Sequence, residues 1–206
     1  MPHEIEAKFK VADFRAVRKR LTALGAVYLG TDLQTDSYYD TPDRRLLGGD
    51  KGLRIRRTRR LRSPSPVGGK PPKADTRPLL TYKGPADGHK QAKIRREIQT
   101  RVDSHQALGD TLSALGLEPT LTVQKKRASY RLGSCRIELD ELPVLGRFIE
   151  IETPTPKQIE TVRRKLDIRG EPCTDHYITL LTRACSRAGG ACLEVTFDNC
   201  TDCDSA

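Results

Sequence analysis

Glu4, Glu6 and Lys8 stand on alternate residues, with Ile5, Ala7 and Phe9 placed around them. That is the period of a β-strand with one apolar face, and its other face carries two carboxylates and an ammonium about 7 Å apart. The pattern returns along the chain. Arg54 and Arg56 alternate with Leu53 and Ile55, Glu138 and Asp140 with Ile137 and Leu139, and Glu150 and Glu152 with Ile149 and Ile151. Lys93, Arg95, Glu97, Gln99 and Arg101 share one face of a further strand, and Lys83, Lys125 and Arg127 lie on others.

Clustered carboxylates suit Mg²⁺ or Mn²⁺, hard ions that prefer oxygen and bind phosphate at the same time. Clustered cations suit a polyphosphate, held by Arg through paired hydrogen bonds and by Lys as a point charge. An ordinary solvated sheet face would use Thr, Ser and Gln as freely as ions. If the sheet closes on itself, this face lines a barrel, where an unpaired charge is costly. Three readings follow from the residues: a metal–triphosphate site, a solvated charged face, or a nucleic-acid surface.

The elements that must position these residues are legible in turn. Asp13 is placed to cap a helix with Phe14, Val17, Leu21 and Leu24 on one face, stopped by Gly25. Residues 26–40 read as extended, Thr41-Pro42-Asp43 as a turn and 51–58 as a strand. Strands follow at 79–83, 93–102, 120–132, 134–142 and 146–153. Thr155, Pro156 and Gln158 then mark the start of a helix that buries Ile159, Val162 and Leu166. A last helix runs from about Asp175 to Arg187 and carries Tyr177, Leu180, Leu181 and Ala184. A weak internal repeat pairs Glu4–Lys8 with Glu97–Arg101 and Leu21–Gly25 with Leu112–Gly116, suggesting a pseudo-symmetric sheet.

Two segments break the pattern. Residues 59–78 hold five of the thirteen prolines, six cations and a single acid, and read as a disordered basic insertion. The stretch 188–206 reads as a flexible, acidic, cysteine-bearing tail, leaving 1–187 as the folded domain. A formal charge of +10 points to an anionic partner. No apolar run reaches the length of about 18 residues that a transmembrane helix needs. The strand at the N-terminus leaves no room for a signal peptide, and six irregularly spaced cysteines make no disulfide framework. A cytoplasmic protein is expected.

The ordered set of motifs resembles the CYTH, or triphosphate tunnel metalloenzyme, superfamily. Glu4-Ile5-Glu6-Ala7-Lys8 is similar to its ExExK signature, and the likeness continues through Leu53–Arg56, Leu80–Gly84, Arg95–Glu97, Lys125–Arg127, Leu139–Glu141 and Leu145–Glu152. The nearest branch is the class IV adenylate cyclases. The resemblance implies an α+β fold with an eight-stranded antiparallel barrel, open as a tunnel, and helices packed outside. It implies that Glu4, Glu6, Asp140, Glu150 and Glu152 hold Mg²⁺ or Mn²⁺. It implies that Lys8, Arg54, Arg56, Lys83, Arg95, Lys125 and Arg127 hold the triphosphate, with Glu4, Glu6 and Lys8 at the catalytic centre. Gln99 stands where the family often has a further Glu, and the 59–78 insertion and the tail depart from its pattern.

The activity so implied is a metal-dependent adenylate cyclase, forming cyclic AMP and pyrophosphate from ATP. A triphosphatase acting on inorganic, thiamine or nucleoside triphosphate is the alternative, and a non-catalytic binder of polyphosphate or RNA is a third. A small-molecule triphosphate is the expected partner, with room for a homodimer but no membrane. Nucleic acid is not expected, since aromatic residues make up only 5% of the chain and no base-stacking motif is present. There is no Walker-type phosphate loop. His3, His89, His105 and His176 are too scattered for a zinc site, and Cys200 and Cys203 form a lone CxxC.

Overall fold

The computed structural model describes residues 3–64, 75–87, 92–187 and 193–199. The centre of the basic insertion and both tail cysteines of the CxxC lie outside these residues. The chain runs β1 (His3–Val11), α1 (Arg15–Ala23), β2 (Val27–Asp40), α2 (Arg45–Gly48), β3 (Gly52–Arg62), β4 (Leu79–Asp87) and β5 (Lys93–Arg101). It continues through α3 (His105–Ala114), β6 (Glu118–Leu132), β7 (Cys135–Leu142), β8 (Gly146–Glu152), α4 (Pro156–Leu166), α5 (Tyr177–Arg187) and β9 (Glu194–Val195).

The strand order β2-β3-β4-β5-β1-β8-β7-β6 closes through a β2–β6 pairing, so eight antiparallel strands ring an interior. Replacing each strand by the one four places later in the chain leaves every neighbour in this ring unchanged. The β1–α1 and β5–α3 units are thus related by a pseudo-twofold, as the internal repeat suggests. Both helices end at a glycine with positive φ, Gly25 at 70° and Gly116 at 82°, where a side chain would be strained.

Alternation decides which side chains face inward. Phe9, Ile137, Leu139, Ile149 and Ile151 point out of the barrel and are covered by Val17 and Leu21 of α1 and Ile159, Val162 and Leu166 of α4. On the opposite side, Leu112 of α3 covers Tyr39 and Ile55. These three helices lie outside, as expected. Helix α5 departs from that arrangement. Its Tyr177, Leu181 and Cys185 pack with Leu121, Val123, Leu142 and Phe148, which lie on the inner face of their strands, in register with the charged residues. The helix therefore fills one end of the interior.

Two expectations about disorder need correction. Strand β3 continues through Arg59, Arg60 and Arg62 on β2, because β2 supplies a full ladder and Asp32, whose Oδ1 meets Arg60 Nε at 2.8 Å. Only residues beyond this strand remain as the insertion. The described part of the tail, 193–199, is likewise anchored. Glu194 and Val195 pair in parallel with Thr122 and Val123 on the edge of β6 that β7 leaves free, and Val195 joins the α5 core. Among the described residues Cys135 and Cys173 are free thiols.

Candidate active site

The open part of the interior is a cleft of about 780 Å³, its mouth included. Strand β1 sends Glu4, Glu6 and Lys8 into it, β3 sends Arg54, β4 Lys83 and β5 Arg95. Lys125 and Arg127 of β6 and Glu150 of β8 complete the predicted residues that line it. Arg56, Asp140 and Glu152 share the same faces but stand behind or beyond this lining.

Strand register sets unlike charges side by side. Glu4 lies opposite Arg95, Glu6 opposite Lys93, Lys8 opposite Glu150, and Lys83 opposite Glu97. Lys83 Nζ reaches Glu4 Oε2 at 2.5 Å and Glu97 Oε2 at 3.6 Å. On the far wall Asp140 is wholly buried. It accepts from Lys125 at 3.1 Å, from Arg127 Nε at 2.6 Å and from the Tyr177 hydroxyl at 3.2 Å. Arg127 also bonds Glu150, whose carboxyl is held well below its ordinary range: burial opposes this, but Arg127, Lys125 and Lys8 outweigh it. With both oxygens occupied, Asp140 acts here as an anchor for cations.

Not every cation is so matched. Arg95 is 1% exposed, yet its Nε and Nη2 find no hydrogen-bond partner among the described residues, and Nη1 meets only His176 Nε2 at 3.3 Å. Arg54 Nε and Thr81 Oγ1, also in the lining, are buried and partnerless as well. Lys8 bonds the Asp175 carbonyl at 2.8 Å and stands 4.0 Å above the Tyr177 ring. Burial, Arg127 and Arg56 bring Lys125 down to about 8, and burial with Arg95 and Lys8 does the same for Lys93. The lining thus holds crowded, incompletely neutralised cations, the environment that an anion relieves.

Carboxylates gather at the β1–β8 end. Burial raises Glu152, and the neighbouring Glu4, Glu6 and Glu97 raise it further. Among the described residues no three acidic or His/Cys groups converge as a ready-made metal cage. The donor set still fits Mg²⁺ or Mn²⁺, because such ions are commonly held by one or two carboxylates together with substrate phosphates.

Several residues in or behind the lining were not anticipated. Asp36 of β2 locks Arg56 and Arg54, and Tyr38 stands beside it. His176 binds Asp50 at 2.9 Å and lies against Arg95, bringing two loop segments to the cleft. Tyr177 was anticipated as a core residue only. Asp36 sits in Thr35-Asp36-Ser37, polar on both faces, and His176 precedes a helix, so neither carried a periodic signal.

A closed antiparallel barrel lined by ion pairs and incompletely paired cations is consistent with a triphosphate tunnel. The chain matches the CYTH domain over residues 2–172 and belongs to that family. It is 30% identical over 154 residues to adenylate cyclase CyaB of Aeromonas hydrophila, covering 74% of this chain and 69% of that one. A Methanocaldococcus jannaschii protein with the provisional name of adenylate cyclase, MJ0240, is 27% identical over 162 residues, 79% of this chain and 81% of that one. Among solved structures, the PH1819 protein of Pyrococcus horikoshii OT3 superposes with a TM-score of 0.71 at 27% identity, covering 87% of this chain and 98% of that one. The family match, with relatives that carry adenylate cyclase names, supports an enzyme acting on a triphosphate. No helix among the described residues is long and apolar enough to cross a membrane.

Proposed function

We propose that the chain is a metal-dependent adenylate cyclase that binds the triphosphate of ATP in this cleft. The observation that carries the reading is Arg95: a fully buried guanidinium with two partnerless nitrogens calls for an anion with several oxygens. Lys8, Arg54, Lys83, Lys125 and Arg127 converge on the same space, and Arg56 supports them through Asp36. Likeness to the Aeromonas hydrophila cyclase favours that activity within the family.

In this reading Glu4, Glu6, Glu150 and Glu152 would hold the divalent ion, and Asp140 sets the position of Lys125 and Arg127. A bound Mg²⁺ or Mn²⁺ would polarise the phosphate oxygens and offset their charge. The chain's own residues do the rest. Lys83 leaves Glu4 for a phosphate oxygen, freeing that carboxylate. Arg95, Lys8 and Arg127 fix the phosphates so that the ribose 3′-oxygen lies in line with the α-phosphorus. The 3′-hydroxyl gives up its proton to solvent as the O3′–P bond forms, the bond from the α-phosphorus to the β-phosphate's bridging oxygen breaks, and the departing pyrophosphate keeps its new charge against the Lys and Arg lining.

If the same residues instead expose the γ-phosphorus to water, the enzyme is a triphosphatase. Product analysis with Mg²⁺ and Mn²⁺ on ATP, tripolyphosphate and thiamine triphosphate separates the two, with Glu6→Ala as the inactive control. Cyclic AMP with pyrophosphate is expected. Orthophosphate from tripolyphosphate with ATP untouched would replace the cyclase by a triphosphatase, and binding without any product would leave a non-catalytic binder.

A further inference from the structure

One nitrogen, His176 Nε2, is given two incompatible partners. It stands 2.9 Å from Asp50 Oδ1 and 3.3 Å from Arg95 Nη1. A neutral imidazole has one N–H and one bare nitrogen, so a single ring nitrogen either donates or accepts. If Nε2 carries the hydrogen it donates to Asp50, and Arg95 loses its contact there while its Nε and Nη2 are already partnerless. If Nε2 is bare it accepts from Arg95, and its lone pair confronts the Asp50 carboxylate. An imidazolium keeps the Asp50 bond but sets a positive charge against Arg95. None of these states satisfies all three side chains.

The conflict sits at a junction of the fold. Asp50 follows α2 with a positive φ of 51°, and its Oδ2 accepts from the Ala86 N–H of β4 at 2.8 Å. His176 is the residue before α5, and its carbonyl accepts from the Leu180 N–H at 3.0 Å. The Asp50–His176 contact therefore ties the turn after α2 to the start of α5, at the edge of the cleft that both residues line.

In the free protein the surroundings of the ring oppose its protonation. Burial, Lys93 and Arg95 bring the imidazole down to about 4, against the pull of Asp50. A phosphate group at Arg95 reverses this balance. It gives the guanidinium an acceptor, and it offsets the positive charge that keeps a proton off the ring.

Resting on the triphosphate reading of the cleft, we propose that His176 is a proton-coupled positioning residue, which takes up a proton when a phosphate engages Arg95 and locks as an imidazolium onto Asp50. The phosphate replaces Nε2 at Arg95, Nε2–H donates to Asp50, and the proton comes from solvent. The free ring stays neutral until the pH approaches 4, whereas the bound ring titrates nearer its ordinary 6.5. Between these values the contribution of His176 to triphosphate affinity grows as the pH falls, by up to about tenfold per pH unit, and above 6.5 it vanishes. Lys93 and Lys125, brought down to about 8, are already protonated throughout this window and take up nothing there.

Titration calorimetry of Mg²⁺–tripolyphosphate at about pH 5.5, in two buffers of different ionisation enthalpy, counts the protons taken up on binding. The wild type is expected to take up about one proton more than His176→Gln, which keeps a donor for Asp50 but does not titrate in this range. Asp50→Asn retains an acceptor for the Ala86 N–H and removes the counter-charge, so its excess is expected to be smaller. An undiminished excess in that variant would overturn the lock onto Asp50. NMR of labelled imidazoles follows the ring directly: of the four histidines, the signal lost in His176→Gln is expected to titrate at higher pH once tripolyphosphate is added. If the wild type and His176→Gln bind tripolyphosphate with equal proton counts and parallel pH profiles, the proposal is overturned while the cleft reading stands. If the wild type does not bind tripolyphosphate, the cleft reading fails and this proposal falls with it.

Discussion

Asp36 and Arg56 face each other across β2 and β3 and close two hydrogen bonds, Nε to Oδ1 at 2.5 Å and Nη2 to Oδ2 at 2.6 Å. Arg54 adds a third contact at 3.3 Å. Burial alone would raise the Asp36 carboxyl, but the two guanidiniums overcome it and hold it well below the ordinary range. The pair is a rigid strut behind the cleft, and its two halves are unequal to lose.

Asp36→Asn leaves buried Arg56 without its counter-charge and is expected to cost about 3 kcal/mol or more. Chemical denaturation at neutral pH measures it. Removing both charges in Asp36→Asn/Arg56→Met is expected to recover a good part of that loss, since an apolar replacement of a buried pair is often tolerated. A single-variant loss below about 1 kcal/mol would mean that the pair behaves as a surface contact.

Tyr177 makes two separable contributions. Tyr177→Phe removes the hydroxyl from Asp140 and keeps the ring beneath Lys8 and Lys125, at an expected cost of about 1 kcal/mol. Tyr177→Leu also removes the aromatic face and is expected to cost about 2–3 kcal/mol, with tripolyphosphate affinity falling in the same order. Equal losses for the two variants would show that the ring contributes nothing to the cations.

His176 gives the free protein a pH signature. Burial, then Lys93 and Arg95, push its imidazole down to about 4 from an ordinary value of 6.5, against the pull of Asp50. Between these values the unfolded chain takes up a proton that the folded one refuses. Its contribution is therefore complete above 6.5 and is lost as the pH falls toward 4. Relative to His176→Gln, the wild type is expected to lose up to about 1.4 kcal/mol per pH unit across that window. Parallel stability curves for the two proteins would rule this out.

Val195 tests the anchoring of the tail. It is 2% exposed, packed among Leu121, Val123 and Leu181, and paired through its backbone to β6. Val195→Ala is expected to destabilise by about 1–2 kcal/mol and Val195→Asp by more. Unchanged melting in both variants would return this segment to the status of a loose tail.

How far the sequence could be read follows from periodicity. Glu4, Glu6 and Lys8 were legible because Ile5, Ala7 and Phe9 mark the opposite face, and the same holds for Glu150 and Glu152 beside Ile149 and Ile151. Strand β2 hides Asp36, because Thr35 and Ser37 on its other face are polar too. An arginine run such as Arg59–Arg62 reads as solvated until a partner strand supplies the ladder. The amphipathic pattern of α5 announces a buried face but not what covers it, so its seat inside the barrel was out of reach. Asp50 and His176 meet only through the closed fold.

The central claim is that Arg95 meets the triphosphate. The most direct measurement is the affinity of Mg²⁺–tripolyphosphate for the wild type and for Arg95→Met, whose apolar chain suits the buried position and avoids an unpaired charge. A loss of about a hundredfold or more, with thermal stability of the free protein equal or higher, is the expected result. Unchanged affinity with a destabilised protein would contradict it, and would make Arg95 a structural residue that the cleft does not use.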